Sequence, residues 1–521
     1  DGSGDFTFTR GSNLSATRVG PNGYIEKGYE NLLLQSNTFS NAAWEKNNLL
    51  QPVNGYEGYD GSNDAWKLVP NSGTDSRVRQ SFSTTGIITT SFYAKAAEWN
   101  YVGIYVFGSN KGVVWSLIDG SVQNPIISYP EIYSDGENVG NGWWKFSMTH
   151  NVVSGDVRIW PCEQNIYNGN TPDGVSGIYI QDAQLNQGLV AYPYLETTDS
   201  PAQGGLLENT PRLDWSNGVP SVLVEEGSTN LIVVSEYLNS SGIQRSKDFE
   251  INTSDTTSPE GLNNACKFEF PSGSIQYFGD NLGTLNNATA SVFVKAGTHQ
   301  YIQYVSSGNA NFTINFDVAN GTSNVIGTLP SGGTYDIEDY GNDWYRIWVS
   351  YDHGGGAPTI YWWVSNGLNA PRAQEVTSAG DMYFYGFQIE EGSAPSSYIP
   401  TYGTTQTRSN ETVSDTFSIP TTATIYNSFY SNVAEQVYVL DQVFNVSVGL
   451  NKVAIAFSPT AIKISVGGSI TANATGTYDT TSLSNIQLGS NNGTDYSNAP
   501  ISGFYVFPEF LTDAELNSLT D

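Results

Sequence analysis

The chain repeats itself at long range, and this constrains its fold more than any local propensity does. The stretch "GYENLLLQS" (28–36) is answered by "EGSTNLIVVS" (226–235), and "NDAWKLVP" (63–70) by "NNACKFEFP" (263–271). In the same order, "SFYAKAA" (91–97) pairs with "SVFVKAG" (291–297) and "GNGWWKFSM" (140–148) with "GNDWYRIWV" (341–349). Lastly "IYIQDAQLNQGLVAYPYLETT" (178–198) pairs with "YFYGFQIEEGSAPSSYIPTYGTT" (383–405). Ordered matches at an offset of roughly 200 residues mark two copies of one module, each long enough to bury its own core.

Within each copy the segments are short and rich in Val, Ile, Phe, Tyr, Trp and Thr, with Gly, Asn, Asp, Ser and Pro between them. That is the pattern of strands and turns, and two packed sheets are its usual solution. The expected fold class is therefore all-β: tandem antiparallel β-sandwich modules of jelly-roll type. After Thr405 the texture shifts to Thr, Ser, Asn and Ala, and Trp disappears. We expect three domains: 1–203, a lead segment plus the first sandwich; 204–409, the second copy; and 410–521, a smaller sandwich-like domain. In that last part Val453, Ile455 and Phe457, then Ile462, Ile464 and Val466, alternate as the arms of a hairpin. Thr512 with Glu515 three positions on forms a capping box, predicting a short helix from Asp513 to Leu519.

Composition excludes several roles. With 21 Lys+Arg against 51 Asp+Glu, the formal charge of −30 repels a phosphate backbone, so nucleic acid is not an expected partner. No apolar run reaches the roughly 18 residues needed to cross a bilayer, and "DGSGDFTFTR" at the start is not a signal peptide, so membrane insertion is not expected. Two cysteines, Cys162 and Cys266, and three histidines, His150, His299 and His353, leave little material for a disulfide framework, a zinc site or a nucleophile–base pair. The cysteines read as buried thiols.

The adjacent carboxylates of Glu225 and Glu226 look like a catalytic pair, as do Glu390 and Glu391. Neighbouring residues of a strand point to opposite faces, which keeps two adjacent carboxylates from acting on one bond. In the first copy the counterparts of Glu225 and Glu226 are Glu26 and Lys27, so the pair is not repeated; the expectation is carboxylates facing solvent or capping a turn. Aromatic side chains are better candidates, because the apolar face of a sugar ring stacks on Trp or Tyr while Asn, Asp and Gln meet its hydroxyls. Trp143 and Trp344 recur in both copies and read as core. Trp160, Tyr361, Trp362 and Trp363 are the candidate glycan-binding residues. The acidic stretches "YPEIYSDGENVGNGWW" (Glu131, Asp135, Glu137) and "YDIEDYGNDWY" supply hard oxygen ligands, and Asp336, Glu338, Asp339 and Asp343 are candidates for a structural calcium ion; no other cofactor is expected.

The segments "FTFTRGSNLSATRVGPNGYIE" (6–26) and "PRLDWSNGVPSVLVEEGSTNLIVVSEYL" (211–238) resemble the lead segments of bacteriophage virion proteins: tail-fibre, baseplate and head-decoration proteins. The stretches "AYPYLETTDSPA" (191–202) and "SYIPTYGTTQTRSNETVSDTF" (397–417) look like that family's exits from a carbohydrate-binding-module-like sandwich. The ending "ISGFYVFPEFLTDAELNSL" (501–519) is similar to the last strand and helix of concanavalin A-like, laminin G-like sandwiches, although about 110 residues is short for a complete one, so no sugar or calcium site carries over to it. The resemblance implies a non-catalytic protein on the virion surface, binding host or environmental glycans, associating with other virion proteins and forming a homo-oligomer, a trimer by analogy. Two alternatives stand beside it. One is a secreted bacterial adhesin or the carbohydrate-binding portion of a polysaccharide-degrading enzyme; the other is a depolymerase whose carboxylates meet only in the folded chain.

Overall fold

The computed structural model describes residues 6–11, 14–109, 111–125, 132–166, 170–281, 283–415, 419–431, 435–439, 442–480, 486–489 and 500–521. It is almost entirely β, as the pattern predicted. The first module has two six-stranded antiparallel sheets. One runs in the order Val122–Pro125, Lys111–Ser116, Tyr101–Phe107, Gly155–Cys162, Arg77–Phe82, Glu45–Asn47. The other runs Tyr133–Gly140, Trp143–Val152, Gly86–Ala96, Ile178–Gln187, Ala65–Leu68, Val53–Tyr56. The second module repeats both orders. Its sheets are Thr322–Gly327, Asn309–Asp317, Tyr301–Ser306, Thr359–Val364, Tyr277–Asn281, Gln244–Arg245, and Thr334–Asp339, Trp344–Asp352, Asn287–Ala296, Gly380–Glu391, Cys266–Phe270, Glu250–Ile251.

Period-two alternation fills the space between the sheets. Along Asn287–Ala296, Ala288, Ala290, Val292 and Val294 enter the core while Phe293 belongs to a cluster on the opposite face. Trp144 joins the first module's core and Trp143 faces away, yet Trp143 is fully buried. Trp344 is buried too, against Ile25 of the lead segment.

The repeated "NL" of "ENLLL" and "TNLIV" closes each module. Asn230 Nδ2 donates to the carbonyls of Ile399 (2.8 Å) and Phe387 (3.4 Å), and its Oδ1 accepts from the amides of Ile232 (3.1 Å) and Ile389 (3.2 Å). Asn31 does the same with Leu195, Ala183, Leu33 and Leu185. Both amides are fully buried with all four bonding positions used. Nearby, Ser36 bonds Tyr194 and Ser235 bonds Tyr398, which pins the start of each module to its exit.

The third sandwich is assembled from distant parts of the chain. Its seven-stranded sheet runs Arg212–Asp214, Ser221–Leu223, Ile501–Phe507, Ala423–Ser431, Gly449–Ser458, Ala461–Val466, Ser469–Thr475, so two of its strands come from the segment between the modules. A small sheet of Thr7–Thr9, Thr412–Asp415 and Ile486–Leu488 brings Phe8, Val413 and Leu488 against Val224 and Ile501. The helix Asp513–Thr520, with the predicted capping box of Thr512 and Glu515, packs Leu516 on Ala454 and Ala456. The hairpin pairs Ile455 with Ile464 and Phe457 with Ile462 as the alternation required.

Glu225 does not face solvent. Only Glu226 is exposed; Glu225 is buried in an ionic cluster with Arg212 (2.7 Å) and Arg408 (3.2 Å), and Glu411 pairs there with Arg10 (3.2 Å) and Arg212. Burial alone would raise the Glu225 carboxyl, but Arg408 and Arg212 outweigh it and hold the pKa at about 2. The cluster ties three segments remote in sequence, around Arg10, Arg212–Glu225 and Arg408–Glu411, a role that two adjacent letters could not reveal.

The modules also pack directly. Ile87, Leu189 and Val234 form a shared apolar cluster, and Asn252 donates to the Leu189 carbonyl at 2.7 Å. Gly86, at φ +98°, lies so close to the Tyr402 carbonyl that a Cβ would collide with it. Lys27, from the strand Ile25–Asn31, is buried between Glu236 and Glu260, 2.6 Å from each. Desolvation lowers its pKa, and the two carboxylates reverse that and keep it firmly protonated.

Candidate functional site

Along the strand Thr359–Val364 the side chains alternate, and this separates the aromatic candidates. Trp362 turns inward, fully buried, with its ring 5.5 Å from Tyr304 and 6.3 Å from Phe316. Tyr361 and Trp363 turn outward. In register, Trp363 stands opposite Tyr277 and Gln303, and Gln303 opposite Asn315, making a row of side chains across the outer face of the sheet.

That face has two halves. The chain after Ser365 covers one: Gln303 donates to Asn315 Oδ1 (2.8 Å) and accepts from the Ala373 amide (2.8 Å), while Asn315 donates to the Ala370 carbonyl (3.0 Å). On the other half Tyr277, Tyr361 and Trp363 remain half-buried. Tyr277 stacks on Trp363 with centroids 5.3 Å apart at 22°, and Tyr361 meets both edge-on. Gly279 makes room, since a Cβ there would strike the Ile360 carbonyl and the Tyr361 ring. The Tyr361 hydroxyl donates to Gln244 Oε1 at 3.0 Å, and Gln244 begins the wall of an open hollow of about 560 Å³ bounded by Ile243, Arg245, Ser246, Lys247 and Asp248. Trp363 Nε1 is buried and has no hydrogen-bond partner among the described residues. Flat rings beside amides and hydroxyls are what a sugar requires, an apolar face to lie on and polar groups to read its edge.

In the first module the equivalent place is closed. Trp160, only 2 % exposed, packs edge-on against Tyr105 at 5.9 Å, and Arg77 stands 5.9 Å over its ring. Around it Arg79 pairs with Glu45 (2.6 Å), and Arg158 pairs with Asp156 while lying 4.7 Å over Phe107. Trp160 and Trp362 therefore present no open ring, and of the four candidates only Tyr361 and Trp363 share an accessible face. Sequence reading missed Tyr277 and Gln244, which join the site through cross-strand register.

The acidic candidates are edge strands rather than loops. Asp336, Glu338 and Asp339 lie on Thr334–Asp339 and Asp135 and Glu137 on Tyr133–Gly140, the equivalent outermost strands of the two modules; Glu131 lies outside the described residues. Charge on a sheet edge discourages pairing with another strand. Glu338 accepts from Trp348 Nε1 (2.8 Å), and burial raises its carboxyl. Asp339 accepts from the Gly341 amide (2.8 Å), and Asp343 lies 3.5 Å from Lys295. These four carboxylates do not converge, and among the described residues no group of three His, Cys, Asp or Glu side chains is placed to hold a metal ion.

The remaining reactive groups are buried or half-buried. Cys162 and Cys266 are buried free thiols, the latter pushed up to about 12 by burial. His299 contacts the Ser365 carbonyl at 2.7 Å, His353 lies against Tyr351, and His150 is enclosed in the first module.

No family matches this chain, and no curated protein does. Among solved structures it is similar to the N-terminal CBM22-1-CBM22-2 tandem domain of Paenibacillus barcinonensis Xyn10C, with 10 % sequence identity, a TM-score of 0.22, and coverage of 74 % of this chain and 100 % of that one.

Proposed function

We propose that the protein is a non-catalytic glycan-binding protein that holds saccharide on the outer sheet face of its second module. The observation that carries this is the cluster of Tyr277, Tyr361 and Trp363, half-buried on a sheet face beside Gln244 and an open hollow. Aromatic rings left partly in water on a rigid sheet cost solvation that a stacked sugar relieves. The row of Tyr277, Trp363, Gln303 and Asn315 is uncharged, which suits a neutral saccharide, and at the hollow beside it, also bounded by Lys247, Arg245 pairs with Asp248 (2.6 Å).

The non-catalytic reading is supported by the fate of the carboxylates. Glu225 is committed to arginines, and Glu390 is buried, accepting from Gln388, Ser228 and Ser396. The setting we propose is the surface of a virion, with the protein as a homo-oligomer among other virion proteins. The lead and exit segments support it, and repeated display would raise the avidity of weak sites.

The test is a glycan array probed with the full chain. Binding to at least one neutral polysaccharide is expected, and Trp363→Ala or Tyr361→Ala should each weaken it about tenfold, the worth of one ring stack. A chain that retains no glycan would overturn the proposal.

A further inference from the structure

The two modules differ sharply on the outer face of their second sheet, and the difference has a direction. In the second module this face is covered by the lead segment. Ile25 packs with Phe293, Trp344, Tyr385 and Tyr398, its amide donates to the Pro259 carbonyl (2.8 Å), and Lys27 reaches Glu236 and Glu260. The cover is a hairpin of Thr17–Val19 and Ile25–Asn31. The lead of the second module likewise reaches forward, its hairpin of Arg212–Asp214 and Ser221–Leu223 extending the seven-stranded sheet of the third sandwich.

The repeat identifies the corresponding place in the first module. Tyr93 stands opposite Gln181 as Phe293 stands opposite Tyr385, and the next residues, Asp182 and Gly386, both take positive φ at a shared bulge. The turn closed by the Gly58 amide on the Ser62 carbonyl matches that closed by Ser258 on Leu262. Asp60 thus occupies the position of Glu260, Asp64 that of Asn264 and Asn37 that of Glu236. Where the second module sets two carboxylates around one ammonium, the first sets three, Asp60, Asp64 and Asp182, and among the described residues none of them joins an ion pair. Asp60 and Asp64 are exposed. Beside them Tyr59 stacks flat on Tyr93 at 3.6 Å, and Tyr56 lies 4.8 Å from Tyr179, all four rings half-buried.

We propose that this face of the first module is a docking site for a lysine-bearing β-hairpin of a protein partner, whose ammonium is received by Asp60, Asp64 and Asp182. Charge complementarity and the occupied equivalent in the second module both point to such an occupant. Asp182 is buried while Asp60 and Asp64 are exposed, so the cluster stands solvated without the partner, and a docked ammonium would be paired there as Lys27 is with Glu236 and Glu260. Ser62 Oγ donates to Asp60 (2.7 Å) and Gln181 Nε2 to Asp64 (2.7 Å), while Asp182 accepts from the Tyr59 hydroxyl (3.0 Å), and among the described residues no group of three His, Cys, Asp or Glu side chains is placed to hold a metal ion.

The test uses the full chain and a fluorescent peptide with the sequence of residues 15–31, the protein's own hairpin of this kind. The tethered hairpin keeps the peptide off the second module by its higher effective concentration. Saturable binding read by anisotropy is expected. It should weaken at least tenfold with Lys27→Ala in the peptide, and equally with Asp60→Asn plus Asp64→Asn in the protein. No saturable binding overturns the proposal, as does binding indifferent to either change. If calcium alone raises the melting temperature through Asp60 and Asp64 and the peptide does not bind, the site belongs to a metal and the proposal falls. Should the double variant fold poorly, the Lys27→Ala peptide decides the matter alone.

Discussion

Replacing Asn230 by Ala tests how the modules are closed. The substitution removes two donors and two acceptors from a fully buried site, leaving the carbonyls of Ile399 and Phe387 and the amides of Ile232 and Ile389 without partners. An orphaned buried group costs about 1–3 kcal/mol, and a water entering the cavity would recover part of that. We expect a net loss of about 3–5 kcal/mol, a large share of the 5–15 kcal/mol that holds a typical domain. For a module of this size the melting temperature should fall by about 10 °C, measured by calorimetry on the full chain. Asn31→Ala should cost the same in the first module, and because the two sites share no partners the double variant should be additive within about 0.5 kcal/mol. A shift below about 2 °C for either variant would refute the claim that this asparagine fastens the sandwich.

Three further outcomes follow from the packing. His150 is enclosed with no partner among the described residues on either ring nitrogen, and burial pushes its pKa down to about 3, so the native state stays neutral while the unfolded chain takes up a proton below about pH 6.5. Stability should therefore fall as pH drops through that window, by up to about 1.4 kcal/mol per pH unit, and His150→Phe should remove this part of the slope in urea titrations. Glu411→Gln leaves Arg10 and Arg212 buried with less compensation and should cost about 3–5 kcal/mol, with protease cleavage appearing near residue 10. Gly86→Ala should separate the calorimetric transitions of the two modules, because the added methyl collides with the Tyr402 carbonyl.

Much of the fold was legible because a repeat at domain length survives divergence and strand alternation is read directly from the letters. The register of Tyr361, Trp362 and Trp363 follows from alternation alone, but which neighbours complete the face does not: Tyr277 and Gln244 arrive from strands 84 and 117 residues away. Glu225 defeated the sequence argument for the same reason. Its partners Arg212, Arg408 and Ser397 come from three separate segments, and alternation says which face a side chain takes, never what covers it. Trp143 and Trp344 recur because they are buried, yet the Trp344 ring is covered by a lead segment that began more than 300 residues earlier, beyond any local pattern.

The most direct test of the central claim is the affinity of the full chain for its best array glycan, measured by titration calorimetry with Trp363→Ala and, as a control, Trp160→Phe. The first change should weaken binding about tenfold and the second leave it unaltered, because the Trp363 ring is half-buried on the outer sheet face whereas the Trp160 ring is closed off. Equal losses from both, or no loss from Trp363→Ala, would place any sugar site elsewhere and contradict the claim.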